Sequence, residues 1–350
     1  MEKPFLQNTE GWEMGVSHDA PLTSAELGRL WRSLSYYTML KCIYQHYASH
    51  LDDSYLLQIF NDGFAMLDTR IRQATELLKS EAYPLPLGFS EEDVDLKAPR
   101  LYSDLFYYYY TFTMSQIDVS NSGMNLAAAA RADVREFYTK SLEATMRYFN
   151  TFCELMLQKG LYIRPPFIST SGEKDYVDRQ SFLRGFLGER RPLLAVEIEQ
   201  LFLGYRNNEV AAELLTGFRQ VAKSEQVRSF LDRGLAIARK HIDIFTAVME
   251  KENLPLPSHG GEAVTDSTVS PFSERLMMNH VIALSQTGIG DYATSMASST
   301  RHDLGTAFAR LIMESANYAE DGLNIMIENG WFEEPPRHID RRDLGDKLKH

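Results

Sequence analysis

The chain has 350 residues, of which 44% are hydrophobic and 24% charged, a composition typical of a globular protein of about two domains. Its formal net charge of −12 argues against nucleic acid or an anionic membrane surface as the main partner, because both attract clustered Lys and Arg. Only Cys42 and Cys153 occur, so neither a disulfide framework nor a cysteine-based zinc site is indicated. No run approaches the roughly 18 apolar residues of a transmembrane helix, so we expect no membrane span and a cytoplasmic protein.

The first two helices follow a loosely held tail at residues 1–20. Thr23-Ser24-Ala25-Glu26 is a capping box, in which the threonine hydroxyl and the glutamate carboxylate bond each other's backbone amides. Asp52-Asp53-Ser54 interrupts the helical pattern and caps a second helix that runs to about residue 82. Large apolar side chains at helical spacing mark the buried faces: Leu30, Leu34, Tyr37, Tyr44, Tyr47 and Leu51, then Leu56, Phe60, Phe64, Leu67, Ile71 and Leu78.

A long loop at residues 83–100 separates the second helix from the third. It is acidic and bounded by prolines, so it can either run along a bundle or turn round its end. The third helix begins near Ser103, and its tyrosines at 107–110 point in every direction, which requires neighbours on more than one side. The fourth helix spans about 133–159, and Gly160 is typical of the residue that follows a helix C-terminus.

The same order of elements returns after a linker at residues 166–191, in which 181–186 is predicted to form a short helix. The remaining helices are predicted at 193–218, 224–252, 272–297 and 301–329. Gly330 ends the last helix, and residues 338–350 are predicted to form a charged tail.

The two halves of the chain are copies of one plan. Pro84-Leu85-Pro86 returns as Pro255-Leu256-Pro257, an offset of 255 − 84 = 171 residues. After this loop the offset is 170, as for Arg131 and Arg301. A change of one residue over this length indicates duplication of a whole domain, because solenoid repeats recur at about 20–50 residues.

The predicted fold class is all-α, with two four-helix bundles in tandem at 21–165 and 192–337. Strand signals are nearly absent, since no convincing alternating apolar run is bounded by turn residues. Gly288-Ile289-Gly290 follows no strand, so it indicates close packing of helix seven rather than a dinucleotide-binding loop. No nucleophile elbow, phosphate loop or Cys-His pairing occurs, and therefore no motif assigns a reaction.

Four polar residues on inward faces of the second copy are candidates for a site. His241 and His280 lie on apolar faces of helices six and seven, whereas Glu314 and Asp321 share a face of helix eight where leucines are expected. Two imidazoles and two carboxylates suffice for a divalent iron, manganese or zinc ion. The first copy has other residues at the matching positions: Arg70, Tyr110, Ala144 and Thr151. A site is therefore expected in the second copy alone.

Each candidate also has a structural interpretation. A histidine on an apolar face is often a hydrogen-bonded core residue, and a buried carboxylate is normally paired, here with Arg275, Arg310 or a histidine. The path of the proline loop decides between the interpretations. If helices six and seven are antiparallel, His241 and His280 lie at one height; if the loop crosses the bundle and the helices are parallel, the two histidines are more than a turn apart.

Five motifs resemble a known family when they are taken together. They are Pro21-Leu22-Thr23-Ser24-Ala25-Glu26, Ala98-Pro99-Arg100-Leu101-Tyr102-Ser103-Asp104, Gly160-Leu161-Tyr162-Ile163-Arg164-Pro165-Pro166, Val264-Thr265-Asp266-Ser267 and Asn317-Tyr318-Ala319-Glu320-Asp321-Gly322. Over about residues 20–337 the chain resembles domain-of-unknown-function family 3231 of spore-forming bacteria. The resemblance implies ferritin-like bundles in tandem and a loose association with coat-F type spore coat proteins. It implies no activity and no catalytic residue.

Two hypotheses from different classes follow. The first is a non-enzymatic structural or interaction protein, related to sporulation or the spore coat, whose partners are other proteins or further copies of itself. The second is a ferritin-like protein that binds iron, manganese or zinc through His241, His280, Glu314 and Asp321. A shared fold does not confer a function. A di-iron carboxylate bundle also requires Glu-x-x-His on two helices, which this sequence lacks.

Overall fold

The computed structural model describes residues 20–169, 172, 176–186, 190–256, 263–339 and 341. Within them the chain forms eight long helices: α1 Ser24–Ala48, α2 Ser54–Ser80, α3 Asp104–Ala127, α4 Ala132–Gln158, α5 Ala195–Val221, α6 Glu225–Lys251, α7 Glu274–Ser298 and α8 His302–Glu328. The tails predicted at both ends lie almost wholly outside these residues. In the described part of the chain, no helix is long and apolar enough to cross a membrane.

The helix ends follow the signals in the sequence. At the start of α1, the Thr23 hydroxyl accepts the amide of Glu26 at 3.2 Å, while the Glu26 carboxylate accepts the amide of Thr23 at 2.8 Å. The Asp53 carboxylate caps α2 by accepting two backbone amides. Gly160 and Gly330 follow α4 and α8 with φ of 69° and 68°, the left-handed conformation that ends a helix at low cost for glycine. The capping box and both glycine stops are therefore confirmed.

Each half forms a four-helix bundle with one long crossover connection. In the first bundle α1 packs on α2, α3 on α4, α2 on α4 and α1 on α3. In the second bundle α5 packs on α6, α7 on α8, α6 on α8 and α5 on α7. The Tyr108 hydroxyl, near the start of α3, donates to Asp53 at the start of α2 at 2.8 Å, so α2 and α3 run parallel. A connection between two parallel helices must return along the bundle, and the proline loop therefore crosses it.

The second bundle has the same path. Phe230 and Ile282, which lie early in α6 and α7, both approach Gly322 of α8. Late in the same two helices, His241 hydrogen-bonds Tyr292. Two contacts in the same order along both helices show that α6 and α7 are parallel.

The two crossover loops pair with each other between the bundles. Val94 forms an antiparallel bridge with Phe272, and Tyr102 forms one with Val264. Val94 and Val264 are equivalent residues at the offset of 170, and so are Tyr102 and Phe272. Exchanging the halves therefore exchanges the two bridges, which means that a pseudo-two-fold axis relates the bundles.

Aromatic rings from both halves surround this axis. Tyr110 of α3 and His280 of α7 are equivalent residues, and the Tyr110 hydroxyl lies 3.0 Å from His280 Nε2. The neighbouring rings are Tyr47, Tyr102, Phe106, Tyr107, Phe218 and Phe272. Full burial of one large apolar side chain contributes about 1.5–3 kcal/mol, so this cluster holds the two bundles together as one unit.

Close helix packing at the α7 glycines, as predicted, is wrong. A Cβ atom added to Gly288 or Gly290 would meet nothing within 4 Å, because these positions do not face a neighbouring helix. Glycines instead allow close approach elsewhere. An added Cβ would lie less than 3.0 Å from an aromatic ring at Gly204, Gly217, Gly234 and Gly322.

Candidate functional site

His241 occupies the centre of the second bundle, where it is 1% exposed. Its Nδ1 lies 3.0 Å from the hydroxyl of Tyr292 on α7, and its Nε2 lies 3.1 Å from a carboxylate oxygen of Glu314 on α8. One imidazole therefore links three helices. Two of the four candidate residues, His241 and Glu314, are in direct contact.

The hydrogen bonds around His241 have one consistent direction. Asn208 on α5 donates its amide to the Tyr292 hydroxyl at 2.7 Å, which leaves that hydroxyl to donate to His241 Nδ1. His241 then donates from Nε2 to Glu314, which also accepts from Lys240 at 2.8 Å. The network extends from the core to the surface, and both nitrogens of the imidazole are used.

Burial also keeps the groups of this network neutral in its interior. Burial lowers the pKa of His241, although the hydrogen bond to Glu314 opposes the shift. Burial likewise raises the pKa of the Tyr292 hydroxyl. At neutral pH the core holds an uncharged imidazole and an uncharged phenol, and the negative charge lies on Glu314 beside Lys240.

His280 lies in a different part of the molecule. It bonds Tyr110 at the pseudo-two-fold axis and precedes Tyr292 on α7 by 292 − 280 = 12 residues. At 1.5 Å per residue this separation is about 18 Å along the helix. Because Tyr292 contacts His241, the two histidines are far apart. A site shared by the two histidines requires α6 and α7 to be antiparallel. The two helices are parallel, so the histidines cannot share a site.

Asp321 lies on the surface of the second bundle. Its carboxylate pairs with Arg233 of α6 at 2.6 Å, and about half of its side chain is exposed. The four candidate residues are therefore divided among three places: the core at His241 and Glu314, the axis at His280, and the surface at Asp321. The four-residue arrangement expected from the sequence is not present.

The donor set at His241 does not fit a metal centre. Among the residues that the structure describes, no three His, Cys, Asp or Glu side chains lie close enough to hold a metal ion. A zinc site takes at least three protein ligands, whereas only His241 and Glu314 are ligand types here, and they bond each other. Metal binding by this chain stays a prediction.

Arg70 occupies the equivalent place in the first bundle, where it is 2% exposed. It lies 2.7 Å from the Asp118 carboxylate and donates to the Ser141 carbonyl at 2.6 Å. It also donates to the Thr145 hydroxyl, which in turn donates to Asp118 at 2.7 Å. Burial by itself would lower the pKa of Arg70, but the charge and hydrogen bond of Asp118, together with Tyr37 and Tyr36, raise the pKa on balance. The guanidinium is therefore permanently charged and repels a divalent cation.

A small cavity lies beside Arg70 in the first bundle. Its volume of about 10 Å³ is of the order of one water molecule. Arg70 Nε and the Tyr36 hydroxyl, both among the residues that line it, have no hydrogen-bond partner in the protein. The cavity is too small for an organic substrate.

Sequence reasoning missed Tyr292 and Asp118. The match between the two copies identifies Arg70 as the counterpart of His241, but nothing in the sequence links Arg70 to Asp118. Arg70 and Asp118 lie at similar heights along two parallel helices, and so do His241 and Tyr292. The sequence reveals this match only once the path of the crossover loop is known. Asn208 of α5 also joins the network, through its hydrogen bond to Tyr292.

Comparisons with known proteins place the chain among sequences of unknown function. The model of the family described as protein of unknown function (DUF3231) matches residues 12–173 and 181–344. Curated proteins gave no match. A solved structure, that of a candidate spore coat protein from Bacillus halodurans, is 21% identical, with a TM-score of 0.39. The similarity covers 43% of this chain and 98% of that one.

Proposed function

The chain belongs to the DUF3231 family of proteins of unknown function, and from this premise we propose that it is a non-enzymatic structural or interaction protein. The observation that supports the proposal is that the charged and titratable side chains at both bundle centres are paired with one another, while the unpartnered Arg70 Nε belongs to a residue that lines only a water-sized cavity. Arg70 is paired with Asp118, and His241 bonds both Tyr292 and Glu314. A catalytic group needs a free donor or lone pair that faces a substrate-sized space. The cavity beside Arg70 has a volume of the order of one water molecule.

The form of the molecule suits a scaffold. A shared aromatic core and paired crossover loops join the bundles, so the outer faces of their helices keep fixed positions relative to one another. Several large apolar side chains on these faces and on the linker are exposed, and such residues are candidate contacts for protein partners. They include Phe167, Val177, Met313 and Ile327.

The spore setting is part of the proposal and rests on the family resemblance. A fluorescent fusion of the full chain, followed through growth and sporulation of the source bacterium, tests it. We expect signal that appears during sporulation and stays with purified spores. Equal signal in vegetative cells and none in spores would contradict this setting, while leaving the proposed scaffold role to be judged by partner binding.

Metal analysis tests the non-enzymatic proposal against its alternative. The alternative, binding of iron, manganese or zinc, is supported only by the contact between His241 and Glu314. Protein purified without chelators or an affinity tag is analysed for the three metals by mass spectrometry, beside His241→Ala and the exposed-site control His302→Ala. We expect substoichiometric metal in all three proteins. Stoichiometric metal that is lost only in His241→Ala would overturn the proposal.

A further inference from the structure

The pseudo-two-fold contact between the halves raises the question of pairing specificity. Under such an axis each half uses the same patch of its surface, so an unmodified patch would also fit a second copy of the same half. Main-chain hydrogen bonds obey this symmetry. The amide of Asp95 donates to Pro271 at 2.8 Å, and that of Thr265 donates to Leu101 at 2.9 Å, an exchange of equivalent positions. Specificity must therefore come from side chains that differ between the halves.

One difference is a matched exchange of size. Tyr102 of the first half packs over Gly217 of the second, where an added Cβ would lie less than 3.0 Å from the tyrosine ring. At the symmetry-related place, His46 of the first half meets Phe272 of the second, with ring centroids 5.5 Å apart and nearly perpendicular. His46 is the equivalent of Gly217 at the offset of 171, and Phe272 is the equivalent of Tyr102.

The exchange of size works against self-pairing. In a pair of two first halves, His46 would stand where only Gly217 fits against Tyr102. In the native pair the Tyr102 hydroxyl donates to the Leu214 carbonyl at 2.8 Å. In a pair of two first halves the equivalent carbonyl is that of Ile43, and the same bond would hold the tyrosine ring against His46. In a pair of two second halves, Gly217 would face Phe272 and leave unfilled the space that the His46 ring occupies. One pairing is overpacked and the other contains a cavity, and both cost stability.

A second difference is a one-sided ion pair. Asp93 of the first crossover loop is 5% exposed and lies 2.6 Å from Arg275 of the second half. It also accepts the Ser273 hydroxyl at 2.7 Å. The equivalents of Asp93 and Arg275 are Ala263 and Leu105. Two first halves would bury Asp93 beside leucine, and two second halves would leave Arg275 beside alanine. Each arrangement leaves a charge without its partner.

We propose that the two halves have diverged into complementary partners, so that a first half accepts only a second half, from its own chain or from another copy, and neither pairs with itself. The duplicated gene product would then form one defined pseudo-symmetric unit, or exchange halves between copies through the linker. It does not offer the self-pairing surface of a symmetric dimer. This inference is independent of the proposed scaffold role, because it concerns only the contact between the halves.

Three full-length variants test the proposal. The first gives the second half the interface residues of the first: Gly217→His, Ala263→Asp, Phe272→Tyr and Arg275→Leu. The second gives the first half those of the second: His46→Gly, Asp93→Ala, Tyr102→Phe and Leu105→Arg. The third variant carries all eight substitutions, which exchange the residues at these four pairs of equivalent positions.

The readouts are the urea midpoint and the association of the halves after proteolysis at a cleavage site introduced within residues 173–175. We expect a lower midpoint for both four-fold variants, whose cleaved halves separate in gel filtration. The eight-fold variant is expected to recover most of the midpoint, and its halves to co-elute as those of the wild type do. Four-fold variants as stable as the wild type, or an eight-fold variant no better than they are, would overturn the proposal.

Discussion

Equivalent glutamates, Glu26 and Glu197, close the same end of the two bundles. Glu26 accepts the amides of Ala130 and Arg131 at 2.9 and 2.7 Å. Glu197 accepts those of Thr300 and Arg301 at 3.1 and 3.3 Å. Each buried carboxylate thus satisfies amides where one helix hairpin meets the next. The two bundles therefore cap this end with the same residue type at equivalent positions.

The centres of the bundles differ although their helices match. The first centre is the Arg70–Asp118 ion pair, and the second is a hydrogen-bonded chain from Tyr292 through a neutral His241 to the charged Glu314. Helix ends always expose amides that must be satisfied, whereas a centre requires only that its own polar groups satisfy one another. The difference teaches that chemistry at the centre can change without any change of fold, provided that the new network is closed.

The largest expected effect comes from breaking the ion pair. Asp118→Leu leaves Arg70 buried without a counter-charge and should lower the free energy of unfolding by about 3–5 kcal/mol. Adding Arg70→Met removes both charges and should recover most of that loss.

His241→Phe, the matched change in the second bundle, should lower the free energy of unfolding less, by about 1–3 kcal/mol, because Glu314 keeps its ion pair with Lys240. Urea unfolding followed by circular dichroism measures all three. Equal losses for Asp118→Leu and His241→Phe would contradict the contrast between the centres.

Acid should weaken the molecule through its buried histidines. Burial lowers the pKa of His280 to about 3 and that of His46 to about 4, both below the value of about 6.5 for an unfolded chain. The unfolded state therefore binds more protons as the pH falls from 6.5 to 4, and each histidine removes up to about 1.4 kcal/mol per pH unit.

A variant that copies the first half isolates this effect. His280→Tyr places at the axis the residue that the first half already has, Tyr110, which does not titrate between pH 4 and 7. Its free energy of unfolding should fall less steeply with acid, by up to about 1.4 kcal/mol per pH unit. The exposed His302→Gln is the control for the loss of one imidazole outside the core. Identical slopes for His280→Tyr and the wild type would show that His280 does not carry the pH dependence.

Equivalent glycines should respond differently to alanine. At Gly234 an added Cβ would lie less than 3.0 Å from Tyr318, and Gly234→Ala should cost about 1–3 kcal/mol. At Gly63 the nearest atom, the Tyr148 hydroxyl, would be 3.2 Å away. The helix propensity gained with Gly63→Ala, about 1 kcal/mol, should offset that tighter contact. Thermal unfolding compares the two variants, and a larger loss at Gly63 would contradict the expected order.

The smallest effect concerns the start of the first helix in each bundle. Thr23 caps α1 with its hydroxyl, whereas the equivalent Leu194 has no side-chain acceptor for the amides of α5. Thr23→Ala should cost about 1 kcal/mol, and Leu194→Thr should add up to about as much. Chemical unfolding of both variants against the wild type provides the measurement. A stabilised Thr23→Ala protein would refute the role of the cap.

The fold class and the duplication could be predicted because their signals are local. Thr23 and Glu26 interact within one helical turn, Gly160 ends α4 by its own backbone conformation, and the offsets of 171 and 170 need only the chain itself. Helical periodicity also predicts inward-facing residues, correctly for His241 and wrongly for Asp321, whose side chain is about half exposed. Which residues they meet was not readable, since that depends on helices far apart in the chain.

Only the tertiary structure decided how the loops run and therefore which polar groups meet. Crossing loops make α6 and α7 parallel, which brings Tyr292 to His241 and carries His280 to the axis. There His280 bonds its own counterpart, Tyr110, 170 residues away. The amino-acid sequence by itself determined the helices, their ends and most of their inward faces, because these arise from contacts within a few residues. The partners of those faces arise from packing between distant segments, whose direction no local pattern records.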